Sequence, residues 1–123
     1  MIEAVAMAIS EERRGSAVIL HLEGDFGEPE PAFDDVLQRA IKDDSADVIV
    51  DLLPAASFRA VRTLSRAEKL RRDLGGRRRF AVVADTDSDT GIMLALAGFS
   101  KIAPVFASVE DAMQSWETDG MPI

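Results

Sequence analysis

The sequence DVIVDLLP, residues 47–54, decides the fold. Its continuous apolar run is typical of a strand that is buried on both faces, as in a sheet whose strands are parallel. We predict this strand at residues 47–53, and Pro54 ends it. Both faces of such a sheet must be covered, so helices are expected on either side of it along the chain.

On the N-terminal side, residues 4–10 and 16–23 have the pattern of two strands, and the turn 11–15 joins them as a hairpin. The segment 24–31 is rich in glycine and proline and predicts a loop. A helix is predicted at residues 31–42, because apolar side chains recur there at intervals of three and four and a proline stands in its first turn.

On the C-terminal side, a second helix is predicted at residues 57–74, capped by Ser57 and ended by Gly75-Gly76. Its inner stripe is expected to contain Val61, Leu64, Leu70, Leu74 and either Ala67 or Ala60; Arg59, Arg62, Arg66 and Lys69 recur on the outer face. The remaining predicted elements are a strand at 79–84, a short helix through residue 97 that Gly98 ends, a strand at 102–106, a helix at 109–116 capped by Ser108, and a frayed tail at 117–123.

The alternation of strands and helices predicts an α/β fold in a single domain, residues 1–123. Its sheet is expected to be mixed but mainly parallel, with about five strands and about four helices. A chain of 123 residues, 47% hydrophobic and 29% charged, has enough apolar side chains to form one core without disulfides.

The composition argues against an enzyme. The chain has no cysteine and a single histidine, His21, which excludes thiolate catalysis and leaves no partner histidine for a metal site. The acidic segment 85–89 lacks the glycine and the final glutamate of a calcium-binding loop and is interpreted as a loop that caps a helix. His21 is expected to be structural, and no cofactor is predicted.

Charge is distributed unevenly along the chain. The net charge is −8, yet residues 59–79 contain nine basic and two acidic side chains. This separation favours a protein partner over nucleic acid, since the acidic remainder would repel phosphates. No segment is apolar enough to span a membrane and residues 1–10 lack the basic region of a secretory signal, so we expect a cytoplasmic protein without membrane insertion.

Four stretches of the sequence resemble the STAS domain of bacterial anti-sigma factor antagonists, from about residue 16 to residue 113. They are GDF at 24–26, VIVDL at 48–52, LGG at 74–76 and AGFSKIAPVFASVEDA at 97–112. The resemblance implies a non-enzymatic regulator that binds an anti-sigma factor or a serine-kinase-like regulator through its second helix and neighbouring loops. The partner-binding residues are then expected to be Asp25, Phe26, Ser57, Phe58, Arg59, Arg62 and Arg66.

Members of this family that are switched by phosphorylation carry Asp-Ser-Ser/Thr-Gly at the start of the second helix. An ungapped alignment places Ser57-Phe58-Arg59-Ala60 there, with Phe58 at the acceptor position; a shift of one residue places Ser57 at the acceptor instead. Ser57 is the phosphorylation candidate, since a phosphate there would meet a helix N-terminus and two arginines. Phe58 is expected to form a constitutive apolar contact with the partner.

Two other functions remain open at this point. One is a STAS subunit of a lipid-transport ATPase complex, which would dock through the same helix. The other is a module that binds a nucleotide or small ligand through Arg77, Arg78 and Arg79 together with Arg59 and Arg62. The sequence also allows a homodimer.

Overall fold

The computed structural model describes residues 8–26, 31–42, 47–75 and 79–119, with side chains up to residue 116. The longest described helix has 14 residues, and none in this part of the chain is long and apolar enough to cross a membrane. The strands are β1 (Ala8–Arg14), β2 (Ala17–Phe26), β3 (Asp47–Asp51), β4 (Ala55–Phe58), β5 (Phe80–Val83) and β6 (Val105–Phe106). The helices are α1 (Pro31–Lys42), α2 (Val61–Leu74), α3 (Asp89–Leu96) and α4 (Val109–Asp119), and a 3₁₀ turn follows α3 at Phe99–Lys101.

The strands form one mixed sheet in the order β1-β2-β3-β5-β6. β1 pairs with β2 antiparallel, and the other pairs along this path are parallel. β4 lies off the path and pairs with the last three residues of β2, beyond the point where β3 ends. The predicted α/β fold, with its mixed and mainly parallel sheet and four helices, is confirmed.

Alternate residues of the buried strands enter two different cores, because successive side chains of a strand point to opposite faces. On one face Val18, Leu20 and Leu22 of β2 pack with side chains from α1, α2 and α3. On the other face Ala17 and Ile19 belong to a smaller core formed largely with α4. Within the described ranges, three helices therefore cover one side of the sheet, and a single helix covers part of the other.

Some predicted boundaries are wrong. The hairpin turn contains only two residues, Gly15 and Ser16, and the charged residues assigned to the turn belong to β1. Gly15 has φ 58°, which a tight two-residue turn between twisted strands requires. Charged side chains are compatible with β1 because it is the edge strand, and they protect its free edge. The start of the predicted first strand, at residue 4, lies outside the described residues.

The C-terminal helix is also longer than predicted. The Ser108 hydroxyl accepts the Asp111 N–H at 3.0 Å, as expected for its cap. The helical backbone then continues to Asp119, three residues beyond the predicted end at residue 116. Residues 120–123 lie outside the described part of the chain.

His21 connects three strands on the α4 side of the sheet. Its Nδ1 lies 2.7 Å from a carboxylate oxygen of Asp51 on β3, and its Nε2 lies 2.8 Å from a carboxylate oxygen of Glu12 on β1. Burial lowers the pKa of His21, but the hydrogen bonds to Glu12 and Asp51 and their charges together raise it above its ordinary value. Glu12 is in turn paired with Arg14. The structural role expected for His21 therefore has a specific form, an imidazole ring whose two nitrogens each face a carboxylate.

This arrangement predicts a pH-dependent contribution to stability. Because the folded-state pKa of His21 is raised, the stabilisation is fully present below the pKa of the unfolded chain, about 6.5, and is lost as the pH rises through the folded-state pKa. Replacement of His21 by Gln should lower the free energy of unfolding by about 1–2 kcal/mol at pH 5.5 and by less at pH 8.5. Urea titrations of both proteins across this range measure the difference.

The control for this experiment is Glu23→Gln, which removes an exposed charge on the same face of β2. Its effect should stay within about 0.5 kcal/mol. A His21→Gln difference that does not change with pH would contradict the assignment.

Candidate partner-binding site

The predicted start of the second helix is wrong, and the difference changes the site. α2 begins at Val61; Ala60 is its N-cap, with φ −84° and ψ 46°, and no side chain caps it. Ser57 instead lies in β4, a strand that was not predicted. β4 forms because the end of β2 extends past β3 and offers free backbone groups to a parallel neighbour.

The register between β2 and β4 separates the predicted site residues into two sets. Asp25 lies opposite Ser57, and Phe26 lies opposite Phe58. Asp25 and Ser57 are exposed, whereas Phe26 and Phe58 are 0% and 2% exposed. The Arg59 N–H donates to the Phe26 carbonyl oxygen at 2.8 Å and extends the pairing by one bond. The structure thus brings an acidic side chain, a hydroxyl and an arginine to one surface.

The two phenylalanines form an aromatic cluster with Phe33 of α1. The ring centroids lie 5.9 Å apart for Phe26 and Phe33, 5.8 Å for Phe33 and Phe58, and 6.4 Å for Phe26 and Phe58. Such distances are those of packed aromatic pairs. The expectation that Phe26 and Phe58 contact a partner is therefore corrected: their side chains face the core, because the pairing of β4 with β2 turns them inward.

Of the two alignments with the phosphorylation motif, the ungapped one places the buried Phe58 at the acceptor position. The shifted alignment places the exposed Ser57 there. A kinase requires an accessible hydroxyl, so the side-chain orientations favour the shifted alignment.

The outer face of α2 has the predicted basic side chains. Arg59 precedes the helix, and Arg62, Arg66 and Lys69 follow on it; all four are exposed. We call these four residues the basic face. The Arg66 guanidinium lies 3.8 Å from a carboxylate oxygen of the half-buried Asp34 on α1, and at this distance the exposed arginine adds little to stability.

The buried side of α2 differs in two respects from the prediction. Leu64, Ala67 and Ala60 are buried as expected, but Leu74 is 46% exposed, because the helix ends at this residue and the chain turns at Gly75. Glu68 is only 4% exposed and binds Arg71 through two hydrogen bonds of 2.6 and 2.8 Å. These bonds raise the pKa of Arg71 and direct Glu68 away from the basic face.

A shallow cavity of about 230 Å³ lies between β4 and α3 and adds residues that the sequence analysis did not assign to the site. It is lined by Ala56, Ser57, Phe58, Arg59, Asp89, Thr90 and Met93. α3 comes close to the loop after β5 because Gly91 has no side chain: a Cβ there would lie 2.0 Å from the Asp85 carbonyl oxygen.

The acidic segment 85–89 forms the loop before α3, as predicted, but a serine and not one of the expected carboxylates caps the helix. Ser88 is the N-cap, and its hydroxyl accepts the Gly91 N–H at 3.1 Å. A carboxylate oxygen of Asp85 accepts the Asp87 N–H at 2.9 Å, which orders the turn. Over the described ranges, no group of three or more histidine, aspartate or glutamate side chains could hold a metal ion.

Of the arginines in the nucleotide-binding alternative, the three that the structure describes do not come together. Arg79 lies at the amino end of β5, where it is 3.4 Å from an Asp47 carboxylate oxygen and 5.1 Å from the ring centre of Trp116. Arg59 and Arg62 lie at the other end of α2, a helix about 21 Å long. Arg77 and Arg78 lie outside the described residues. A single ligand site that contains Arg79 together with Arg59 and Arg62 is therefore incompatible with this fold.

The comparisons with known proteins agree with this architecture. No family model matches the sequence, and no curated protein matches it. Among solved structures, an anti-sigma factor antagonist from Mycobacterium paratuberculosis superposes with a TM-score of 0.77 at 18% identity, over 89% of this chain and 93% of that chain. The protein TM1081 gives 0.69 at 16% identity, over 93% and 92%.

A third similar structure is the Bacillus cell fate determinant SpoIIAA in its phosphorylated form. It superposes with a TM-score of 0.59 at 16% identity, over 88% of this chain and 98% of that chain. The chain therefore has the fold of anti-sigma factor antagonists, and the STAS fold expected from the sequence is confirmed.

The aromatic cluster gives a test of the corrected role of Phe58. Phe58→Ala should lower the free energy of unfolding by about 3–5 kcal/mol, because it leaves a cavity between Phe26 and Phe33. Ser57→Ala, which truncates the exposed neighbour, should change it by less than about 0.5 kcal/mol. Urea denaturation followed by circular dichroism measures both values. Comparable small effects for the two variants would show that Phe58 is not a core residue.

Proposed function

We propose that the protein is a non-enzymatic, cytoplasmic regulator of transcription that binds an anti-sigma factor or a serine-kinase-like regulator. One observation carries the proposal: on a fold shared with anti-sigma factor antagonists, the exposed Ser57 lines the same cavity as Arg59, the first residue of the basic face. Asp25, Ser57, Arg59, Arg62 and Arg66 are the residues proposed to contact the partner. The buried side chains of Phe26 and Phe58 hold the strands that carry Asp25 and Ser57 in place.

The mechanism would be competition for the partner. By occupying the surface with which the regulator holds a sigma factor, this chain would release that sigma factor. The basic face would attract an acidic surface on the regulator, and this attraction chiefly raises the rate of association and fixes the orientation.

Phosphorylation of Ser57 would oppose this binding. A phosphate adds a charge of about −1.5 to −2 next to Asp25 and close to Arg59 in the chain. It would repel an acidic partner and neutralise part of the basic face. The solved structure of SpoIIAA in its phosphorylated form supports the idea that this fold accepts such a group.

Reversal of two charges tests the basic face. Arg59→Glu together with Arg62→Glu should lower the association rate with the regulator by at least about tenfold at low salt, and binding of the unchanged protein should weaken as salt increases. The partner is first captured with the immobilised protein and identified as an anti-sigma factor or kinase-type ATPase by mass spectrometry. Association rates are then measured by stopped-flow fluorescence.

The matched control is Arg39→Glu together with Lys101→Glu, two exposed residues on α1 and after α3 that produce the same change in net charge. This control should retain most of the association rate. Equal rates for the unchanged protein and the Arg59/Arg62 variant would remove the basic face from the interface. Failure to capture any sigma regulator would remove support for the function itself.

Substitutions of Ser57 test the proposed phosphorylation site. Ser57→Glu should weaken binding of the regulator at least about fivefold, because it introduces a negative charge beside Asp25, whereas Ser57→Ala should bind like the unchanged protein. Thr86→Glu, in the exposed loop before α3, is the control for added charge. Titration calorimetry measures the dissociation constants of all three variants. An unchanged affinity of the Ser57→Glu variant would argue against regulation of binding by phosphorylation of Ser57.

A further inference from the structure

α3 exposes an apolar stripe that the proposed partner site does not use. Ile92 is 48% exposed and Leu96 is 84% exposed, the highest value among the large apolar side chains in the described ranges. The two residues are four apart on a helix and therefore lie on the same side, one turn apart. Exposed apolar side chains that are grouped in this way are typical of interaction surfaces.

The stripe continues into an acidic region at the start of α3. Leu53, 47% exposed, lines a second cavity of about 230 Å³ together with Asp85, Ser88 and Asp89. Asp85, Asp87 and Asp89 are exposed, and none of them forms an ion pair with another residue of the described ranges. We call Leu53, Asp87, Asp89, Ile92 and Leu96 the acidic–apolar face.

This face adjoins the basic face. Arg59 and Asp89 line the same cavity between β4 and α3, so the boundary between positive and negative charge runs through it. The chain therefore displays two neighbouring surfaces of opposite charge. In a pair of molecules related by a two-fold axis, the acidic surface of each molecule can contact the basic surface of the other at the same time.

We propose that the acidic–apolar face binds the basic face of a second copy of this chain, in a symmetric dimer. A two-fold axis near the cavity places Arg59 and Arg62 of each copy against Asp87 and Asp89 of the other. Each charge contact is then made twice, and Ile92 and Leu96 are covered farther from the axis within the same interface. The proposal needs only these two surfaces and does not rest on the proposed function.

Charge complementarity selects a second copy as the occupant. An acidic partner, of the kind proposed for the basic face, would be repelled by Asp87 and Asp89, whereas a second copy brings its own arginines to them. Only three large apolar side chains are covered, fewer than in stable dimers, so we expect a weak dimer with a dissociation constant of about 10–500 µM. Its affinity should fall as salt screens the charges.

The dimer would also occupy the basic face. A regulator that binds Arg59 and Arg62 would therefore compete with self-association, and the monomer would be the form that binds it. The concentration of the protein would then affect how much of it is available to its partner.

Sedimentation velocity of the full chain tests the dimer. At about 50 mM salt, the average mass should rise toward twice the monomer mass between about 10 µM and 1 mM protein, and at about 500 mM salt this rise should be largely lost. Ile92→Asp with Leu96→Asp should be monomeric at every concentration. Leu74→Asp, which changes a similarly exposed leucine at the far end of α2, should still dimerise.

A charge-swap experiment identifies the two faces as each other's partners. Arg59→Glu with Arg62→Glu gives one variant, and Asp87→Lys with Asp89→Lys gives the other. Each alone should be monomeric, because like charges then meet across the axis. Mixed in equal amounts they should form a heterodimer, because both contacts again join opposite charges.

Thermal melts first establish that both variants fold. A protein that stays monomeric at about 1 mM and low salt would overturn the proposal and leave the acidic–apolar face to a different protein. A dimer that survives in Ile92→Asp with Leu96→Asp, or a mixture of the swapped variants that remains monomeric, would also overturn it.

Discussion

β2 is the strand on which the rest of the structure depends. It has ten residues and pairs with β1 along one edge and with β3 and then β4 along the other. A strand has a side-chain period of two, so its register fixes which of its residues are inside and which are outside, and the pairing with β4 shifts by one residue between Gly24 and Asp25. That constraint places Phe26 in the core and Asp25 on the surface, and through pairing it does the same for Phe58 and Ser57.

The elements with strong local signals could be predicted from the sequence. α1 has a regular apolar stripe and a proline at its start, β3 and β5 are short continuous apolar runs, and Ser108 caps its helix through its own hydroxyl. In each case residues that are close together in the sequence determine the local structure. The basic face of α2 was predictable for the same reason, since helical spacing alone separates its charges from Leu64 and Ala67.

β4 and the true start of α2 could not be predicted in this way. The sequence AASF has little intrinsic tendency to form a strand, and it becomes one because the end of β2 lies beside it, a contact between distant parts of the chain. The sequence contains two opposing signals here. Residues 57–60 alternate between polar and apolar, which favours a strand, whereas a serine at position 57 favours the start of a helix. Pairing with β2 outweighed the cap, which is worth only about 1 kcal/mol.

The position of Phe58 directly after Ser57 determines how this surface can respond to a ligand. The ring beside the exposed serine is packed against Phe26 and Phe33, so lifting β4 from the sheet would expose it and leave a void of the kind that costs about 3–5 kcal/mol. A weakly binding partner does not supply that much free energy. The surface is thus a rigid template, and any molecule that recognises it has to make most of the conformational adjustment itself.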